Sequence, residues 1–413
     1  MKDGKEKIAI VVQRFGKEIN GGAEQHASLL VNHLKEKYEV EVLTSCAYEY
    51  FNWKNYYNEG KESIDDIDVL RFKTNNKNKG KIEKHARYLY KNLKYLKYKV
   101  NLLNFLYVAI KRFQYRYNNK IFDQWLEEQG PCTSGLVDYL KNNKEKYKAV
   151  IFFTYLYYPT NFGIREVSEK SILIPTAHDE LPFYYTGFKK LFSRPKFIMY
   201  NTLSEKNMVE KTYPQSKKIK SDIAGVGFKN IIFNPNSTWA IPEFRYFVYI
   251  GRIDSGKGCD VLIENFKNLK GRDFKLVMIG ENFMKEKSHN NVIFTGFISE
   301  EEKWNYLKNS EALIIPSLYE SLSMVTLEAM SIGIPVLANA KCEVLKDHII
   351  NSKAGFAYTN FEDFKLYIKK ILSLSQNEKI TLGENGKKYV NENYQWEIII
   401  DKFIKAINEV SSK

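Results

Sequence analysis

The chain has 413 residues, 44% of them hydrophobic, and a formal net charge of +14; this length predicts two to three domains with ordinary cores. No run of eighteen or more apolar residues occurs, which argues against a transmembrane helix. The charged start, Met1 to Lys7, leads straight into an apolar strand and does not read as a signal peptide, and Cys46, Cys132, Cys259 and Cys342 form no CxxC pair, so reduced thiols in a cytoplasmic protein fit better than disulfides or a zinc site.

In chain order, Ile8–Val12 reads as a strand. Asn20-Gly21-Gly22-Ala23-Glu24 opens a helix running to Lys37, and Val40–Thr44 and Asp68–Phe72 read as further strands. Asp66 and Asp68 have the Asp-x-Asp spacing that can carry a divalent ion, but no other ligand accompanies them, and a solvated strand entrance is the plainer reading. No catalytic metal is expected.

Between Arg71 and Lys120 there are fifteen Lys or Arg residues and one acid, Glu83, so this window holds the whole charge excess. Tyr88, Tyr90, Tyr95, Tyr98, Tyr107, Tyr115 and Tyr117 are interleaved with them. The segment, about 73–125, reads as helices inserted between sheet strands. Basic and aromatic residues at helical spacing suit an anionic membrane surface; a solvated basic face is the bland alternative. Nucleic acid is not expected, since no recognition motif accompanies the charge.

Cys132–Asn142 then reads as a helix, Ala149–Thr154 as a buried strand, and Ser171–Pro175 and Lys196–Asn201 as two more strands. Ser204–Lys211 is helical and Ile219–Val226 closes the series before a polar linker, Asn234-Pro235-Asn236-Ser237. His178 follows the Ser171–Pro175 strand in Thr176-Ala177-His178-Asp179-Glu180. A histidine at a strand end can contact a ligand, or it can be a structural hydrogen-bonder.

The second half repeats the alternation, with strands near Phe247–Ile250, Lys275–Ile279, Val292–Phe294, Ala312–Ile315 and Val336–Ala338. Helices fall near Cys259–Leu269, Ser299–Asn309, Val325–Ile332 and Phe361–Leu374. Alternation of this kind predicts parallel sheets with helices on both faces, with ligands at the carboxyl ends of the strands. Two strand exits carry chemistry. Gly251-Arg252-Ile253-Asp254-Ser255-Gly256-Lys257-Gly258 places two cations on a glycine-rich turn, which suits a phosphate. Tyr319-Glu320-Ser321-Leu322-Ser323-Met324-Val325-Thr326-Leu327-Glu328 runs from strand through turn into helix, with one carboxylate before the helix and one inside it. The helix start directs unpaired N–H groups at whatever sits there, and phosphate is the usual occupant.

With Gly251-Arg252-x4-Lys257-Gly258, Glu320-x7-Glu328 and the Gly21-Gly22 loop in this order, each after a predicted strand, the chain resembles the retaining glycosyltransferases of family 4 (glycosyl transferases group 1). The stretches 11–26, 150–160 and 175–185 are similar to a bacterial surface-glycan subgroup. Ser323 stands where that family's turn has glycine.

The resemblance covers nearly the whole chain and implies a GT-B fold: two Rossmann-like doubly wound domains facing a central cleft, with a C-terminal crossover helix. Residues 1–236 would be the acceptor domain and 237–394 the nucleotide-sugar donor domain, with about 395–413 packing back on the first. It implies that Arg252 and Lys257 neutralise the leaving diphosphate, assisted by backbone N–H groups of Ser323, Met324 and Val325. Glu320 would hold the donor sugar and Glu328 the ribose hydroxyls. His178 would contact the donor sugar or the acceptor, and Gly21 and Gly22 would admit the diphosphate and sugar. Gly251, Gly280 and Phe297 would line the donor site.

No cofactor beyond the nucleotide-sugar co-substrate is implied. The expected acceptor is a glycan or a polyprenyl-linked species, and the expected location is the inner face of the cell membrane. A sugar-nucleotide epimerase of the same fold and a non-catalytic sugar-nucleotide-binding membrane partner remain the alternatives. Gly21-Gly22-Ala23-Glu24 lacks G-x-G-x-x-G, which disfavours a nicotinamide enzyme.

Overall fold

A computed structural model of the chain describes residues 4–19, 21–75, 82, 84–86, 119–228, 242–269, 273–289 and 291–412. Most of the basic stretch expected as inserted helices, and the linker at Asn234–Ser237, lie outside these residues. The chain divides into two compact units, Met1–Ala224 with Ile400–Lys413, and Gly225–Ile399.

The first unit is built on an eight-stranded sheet. Its strands are β1 (Lys7–Val11), β2 (Glu39–Ser45), β3 (Gly60–Ile64), β4 (Ile67–Phe72), β5 (Ala149–Phe153), β6 (Ser171–Ile174), β7 (Phe197–Tyr200) and β8 (Lys220–Ile223). Their order is β3-β4-β2-β1-β5-β6-β7-β8. All pairings are parallel except the β3–β4 hairpin. The chain leaves β1 for β2 on one side and returns for β5 on the other, so β1 and β5 flank a switch point, where open α/β sheets bind ligands. The uniformly apolar β5 is buried along its whole length, as a strand covered on both faces must be. Helices α1 (Gly22–Leu34), α2 (Ser134–Asn143), α3 (Tyr158–Glu166) and α4 (Leu203–Thr212) accompany the sheet. Ile121, Phe122, Trp125 and Leu126, from the end of the basic segment, are buried in its core.

Asp65 and Asp66 form the β3–β4 turn in the left-handed region (φ 49° and 63°), which aspartate tolerates better than most residues. Asp68 pairs with Lys61 across the hairpin. Of the Asp-x-Asp pair, Asp66 thus belongs to the hairpin turn and Asp68 to the strand that leaves it.

The second unit has a six-stranded, all-parallel sheet: β9 (Arg245–Ile250), β10 (Phe274–Ile279), β11 (Val292–Gly296), β12 (Leu313–Ile315), β13 (Val336–Asn339) and β14 (Gly355–Tyr358). The order β11-β10-β9-β12-β13-β14 puts a second switch point between β9 and β12. Its helices are α5 (Cys259–Asn268), α6 (Glu300–Lys308), α7 (Met324–Ser331), α8 (Glu343–Ser352), α9 (Phe361–Ser373) and α10 (Gln376–Asn393). The last helix, α11 (Trp396–Ser411), begins in the second unit and ends in the first, where Lys402 donates to the Ile223 carbonyl oxygen (2.6 Å). No helix among the described residues is long and apolar enough to cross a membrane.

Candidate donor site and its relatives

At the β9–β12 switch point two loops leave the carboxyl ends of adjacent strands. The loop after β9 is held by its own side chains. Asp254 accepts from the Lys257 N–H (2.8 Å) and pairs with Arg252 (2.5 Å), and the Tyr249 hydroxyl donates to the Arg252 carbonyl oxygen (2.7 Å). Gly258 follows at φ 75°, where a Cβ would stand 2.8 Å from the Pro316 carbonyl oxygen on the neighbouring loop. Glycine therefore lets the β9 loop press against the β12 loop, and the result is the central contact of the site. Lys257 Nζ lies 2.7 Å from Glu320 Oε1. One sequence motif supplies the cation and the other the carboxylate.

The β12 loop enters α7 through Ser323, whose φ of 61° is left-handed. A non-glycine residue in this region costs of order 1 kcal/mol and persists only where its surroundings hold it. Ser323 Oγ is 2.9 Å from Thr326 Oγ1, and Leu322 is buried beside it. Among the described residues, the N–H groups of Ser323, Met324 and Val325 meet no protein acceptor, as expected of a helix start.

Glu328, one turn into α7, is nearly buried and lies 3.3 Å from Lys303 on α6, which also pairs with Glu300 (2.7 Å). Glu328 is therefore not a solvated helix acid. Burial lifts its carboxyl above the ordinary value, against the pull of Lys303. Burial would lower the Lys303 ammonium, but Glu328 and Glu300 outweigh it and hold the lysine above its usual range.

Gly251, Gly280 and Phe297 directly follow β9, β10 and β11. The Gly251 N–H donates to Ile279 O (2.9 Å) and the Gly280 N–H to Gly296 O (3.0 Å). A Cβ on Gly280, at φ 134°, would fall 2.1 Å from the Gly251 carbonyl oxygen. Phe297 projects outward with 74% of its surface exposed.

The remaining expected residues belong to the first unit. Gly21 caps α1. A Cβ there would lie 2.2 Å from Glu24 Oε2, and Glu24 cannot swing away because buried Arg14 grips it (2.7 Å). The space beside Gly21 thus serves the Arg14–Glu24 pair, whereas Gly22 has nothing within 4 Å of a would-be Cβ. His178 Nδ1 is 3.3 Å from Thr176 O, and its Nε2 is 3.4 Å from Glu180 Oε1, which accepts from the Tyr155 hydroxyl (2.8 Å). Burial would raise the Glu180 carboxyl, but the bonds from His178 and Tyr155 hold it below the ordinary value.

Thr154 and Thr176, at the ends of β5 and β6, both have positive φ (66° and 48°), a cost that tends to gather at functional turns. Beneath the His178 loop, buried Glu205 accepts from the N–H groups of Ala177 and Asn201 (2.5 and 2.6 Å), and burial pushes its carboxyl up to about 8. Sequence reasoning did not single out Glu205, Asp254 or Lys303. Asp254 was discoverable, since it sits inside the cation loop. The other two act through partners distant in sequence.

Comparisons with known proteins agree with this architecture. Residues 235–389 match the family model described as glycosyl transferases group 1. This stretch is a group 1 glycosyltransferase domain. The group 1 domain contains the Lys257–Glu320 pair and Glu328. The chain is 29% identical over 174 residues to CapM of Staphylococcus aureus, a capsular polysaccharide biosynthesis glycosyltransferase, covering 39% of this chain and 45% of that one. It is 26% identical over 176 residues to the lipopolysaccharide 1,2-N-acetylglucosaminetransferase of Salmonella typhimurium, covering 38% and 46%. The match thus spans less than half the length of these relatives.

Among solved structures, sucrose-phosphate synthase of Thermosynechococcus elongatus superposes with a TM-score of 0.68 at 15% identity, covering 98% of this chain and 99% of that one. HepE of Anabaena, solved with UDP and glucose, gives 0.66 at 14% identity, with the same coverage. The fold is GT-B, with two α/β domains built on parallel sheets.

Proposed function

We propose that the protein is a retaining, metal-independent glycosyltransferase of family 4. It moves a sugar from a nucleotide-diphosphate donor to a glycan or polyprenyl-linked acceptor in cell-surface polysaccharide biosynthesis. The observation that carries this reading is the contact between Lys257 and Glu320 at the carboxyl ends of β9 and β12. A cation for a leaving diphosphate and a carboxylate for sugar hydroxyls stand within one sugar's reach of each other, beside a helix start with open N–H groups. The group 1 match and the surface-glycan relatives support the reaction class.

In the reaction, the bond between the sugar's anomeric carbon and the diphosphate oxygen breaks, and Lys257, Arg252 and the N–H groups of Ser323, Met324 and Val325 take up the growing negative charge. Glu320 holds the sugar by its hydroxyls, and Glu328 the ribose. Gly251 and Gly280 let the nucleotide approach the backbone, and Phe297 flanks the base. The acceptor oxygen bonds to the anomeric carbon on the face the diphosphate leaves, and a departing phosphate oxygen takes its proton. His178 serves the sugar or the acceptor hydroxyl, with Gly21 and Gly22 lining the approach. The protein acts at the inner membrane face, its basic segment against anionic lipid.

The deciding experiment is a thermal-shift panel of UDP-, GDP- and dTDP-sugars in EDTA, followed by chromatography for released nucleoside diphosphate with a lipid-linked glycan extract. A ligand bound only to the folded state raises its apparent stability. A shift for one nucleotide class with acceptor-dependent release is expected. A shift without release points to a non-catalytic sugar-nucleotide-binding partner, and no shift with any donor removes the assignment. Replacing Lys91, Lys94, Lys97 and Lys99 by glutamine should weaken binding to anionic vesicles; unaltered binding sinks the membrane role of that segment.

A further inference from the structure

Behind the β12–α7 turn sits a histidine that the donor chemistry does not use. His348 on α8 is only 2% exposed, and its Nε2 lies 2.7 Å from the Leu322 carbonyl oxygen. A carbonyl can only accept, so Nε2 carries the proton. Nδ1 is then the acceptor for the Tyr389 hydroxyl on α10, 3.0 Å away. Tyr394 completes the wall, its ring edge-on to the imidazole at 6.2 Å and its hydroxyl 3.5 Å from that of Tyr389. A buried, doubly bonded imidazole fixes the direction of one peptide group in the site.

That peptide joins Leu322 to Ser323. In a planar trans peptide the C=O and N–H point in opposite directions. Drawing the Leu322 carbonyl inward to His348 therefore turns the Ser323 N–H outward, in the turn that also carries Glu320. Ser323 has left-handed backbone, a conformation glycine would adopt without strain. The hydrogen bond to His348 is one of the contacts that hold it there.

We propose that His348 is a positioning residue for the diphosphate: through the Leu322 carbonyl it aims the Ser323 N–H at a phosphate oxygen. The inference rests on the donor reading above. It differs from a packing role because it predicts a loss confined to the phosphate part of the ligand.

The test is calorimetric titration of the full-length protein with UDP, GDP and dTDP, each beside its nucleoside, for wild type, His348→Leu, His348→Gln and Tyr389→Phe. His348→Leu removes the donor, whereas the Gln amide can still reach the Leu322 carbonyl. A misdirected N–H to a charged phosphate oxygen is expected to weaken the preferred nucleoside diphosphate by about 10- to 100-fold. Nucleoside affinity should be unchanged, His348→Gln should recover most of the loss, and Tyr389→Phe should lose less than His348→Leu. If His348→Leu does not fold, Tyr389→Phe alone must show the diphosphate-selective loss. Equal weakening of nucleoside and diphosphate, or no weakening, overturns the inference while leaving the donor reading intact. If wild type binds none of the nucleotides, the donor reading fails and the inference falls with it.

Discussion

Lys257 and Glu320 lie 63 residues apart in sequence and 2.7 Å apart in the fold, because Gly258 lets the β9 loop touch the backbone of the β12 loop. Both side chains keep some solvent access, at 31% and 15% exposure, so the pair is worth at most about 1 kcal/mol of stability. Its importance is to the charge that develops when the diphosphate leaves.

Lys257→Met should therefore reduce kcat by about 10²- to 10³-fold, the scale of one lost charge-stabilising donor, with a stability change under about 1 kcal/mol. Steady-state kinetics and urea denaturation on the same preparation check both halves. A folded variant with wild-type turnover removes Lys257 from the mechanism.

The Lys303–Glu328 pair obeys different physics. Its side chains are 10% and 12% exposed, so removing one partner strands the other in a desolvated place. Lys303→Met should cost about 3–5 kcal/mol, and Lys303→Met/Glu328→Leu should regain much of it, because two apolar groups leave no orphaned charge. Denaturant unfolding of the singles and the double closes the cycle. Additive losses would show that the two do not act as a pair.

These contrasts show what was legible in the sequence. β5 could be read because Ala149–Phe153 is apolar at every position. The cation and carboxylate motifs could be read because each is compact and follows a strand. β3 was missed because Lys61, Glu62 and Ser63 are exposed on an edge hairpin and show no apolar alternation. α3 carries little helical signal because Pro159 and Gly163 are poor helix formers, although Pro159 sits in the first turn, where its missing N–H costs nothing. α10 is polar along most of its length. The partners Lys303 and His348 escaped for a different reason: each reaches its target from another helix, 25 or 26 residues away, and no local pattern announces such a pairing.

Gly280 joins the ends of β9 and β10 at a distance no side chain permits. With φ at 134° and the Gly251 carbonyl oxygen 2.1 Å from a would-be Cβ, Gly280→Ala must move backbone. A cost of about 1–3 kcal/mol is expected. Nucleotide affinity should fall as well, since β9 runs into Arg252 and the Gly280 N–H holds Gly296, the residue before Phe297. Guanidinium unfolding with nucleotide titration measures both. A change below about 0.5 kcal/mol, the range of ordinary surface substitutions, would show that the strand ends are looser than their geometry implies.

His348 gives the second unit a pH dependence whose sign can be worked out. Burial lowers its pKa below 6.5, while the Leu322 carbonyl and the charges of Asp347 and Glu320 pull weakly upward. As pH falls through about 6.5, the unfolded chain takes up a proton at this position. The folded protein does not, because a protonated Nδ1 could no longer accept from Tyr389. The unfolded state then binds more protons, so stability drops as pH falls, by at most about 1.4 kcal/mol per pH unit for one group. His348→Gln keeps the bond to Leu322 and cannot titrate. The difference in unfolding free energy between wild type and His348→Gln should thus be flat from about pH 8 to pH 7 and should turn against wild type between about pH 6.5 and pH 5. Other groups titrate alike in both proteins and cancel in the difference. A difference that stays flat to pH 5 would mean that the buried imidazole accepts its proton as readily folded as unfolded, and the tautomer assigned to it would have to be abandoned.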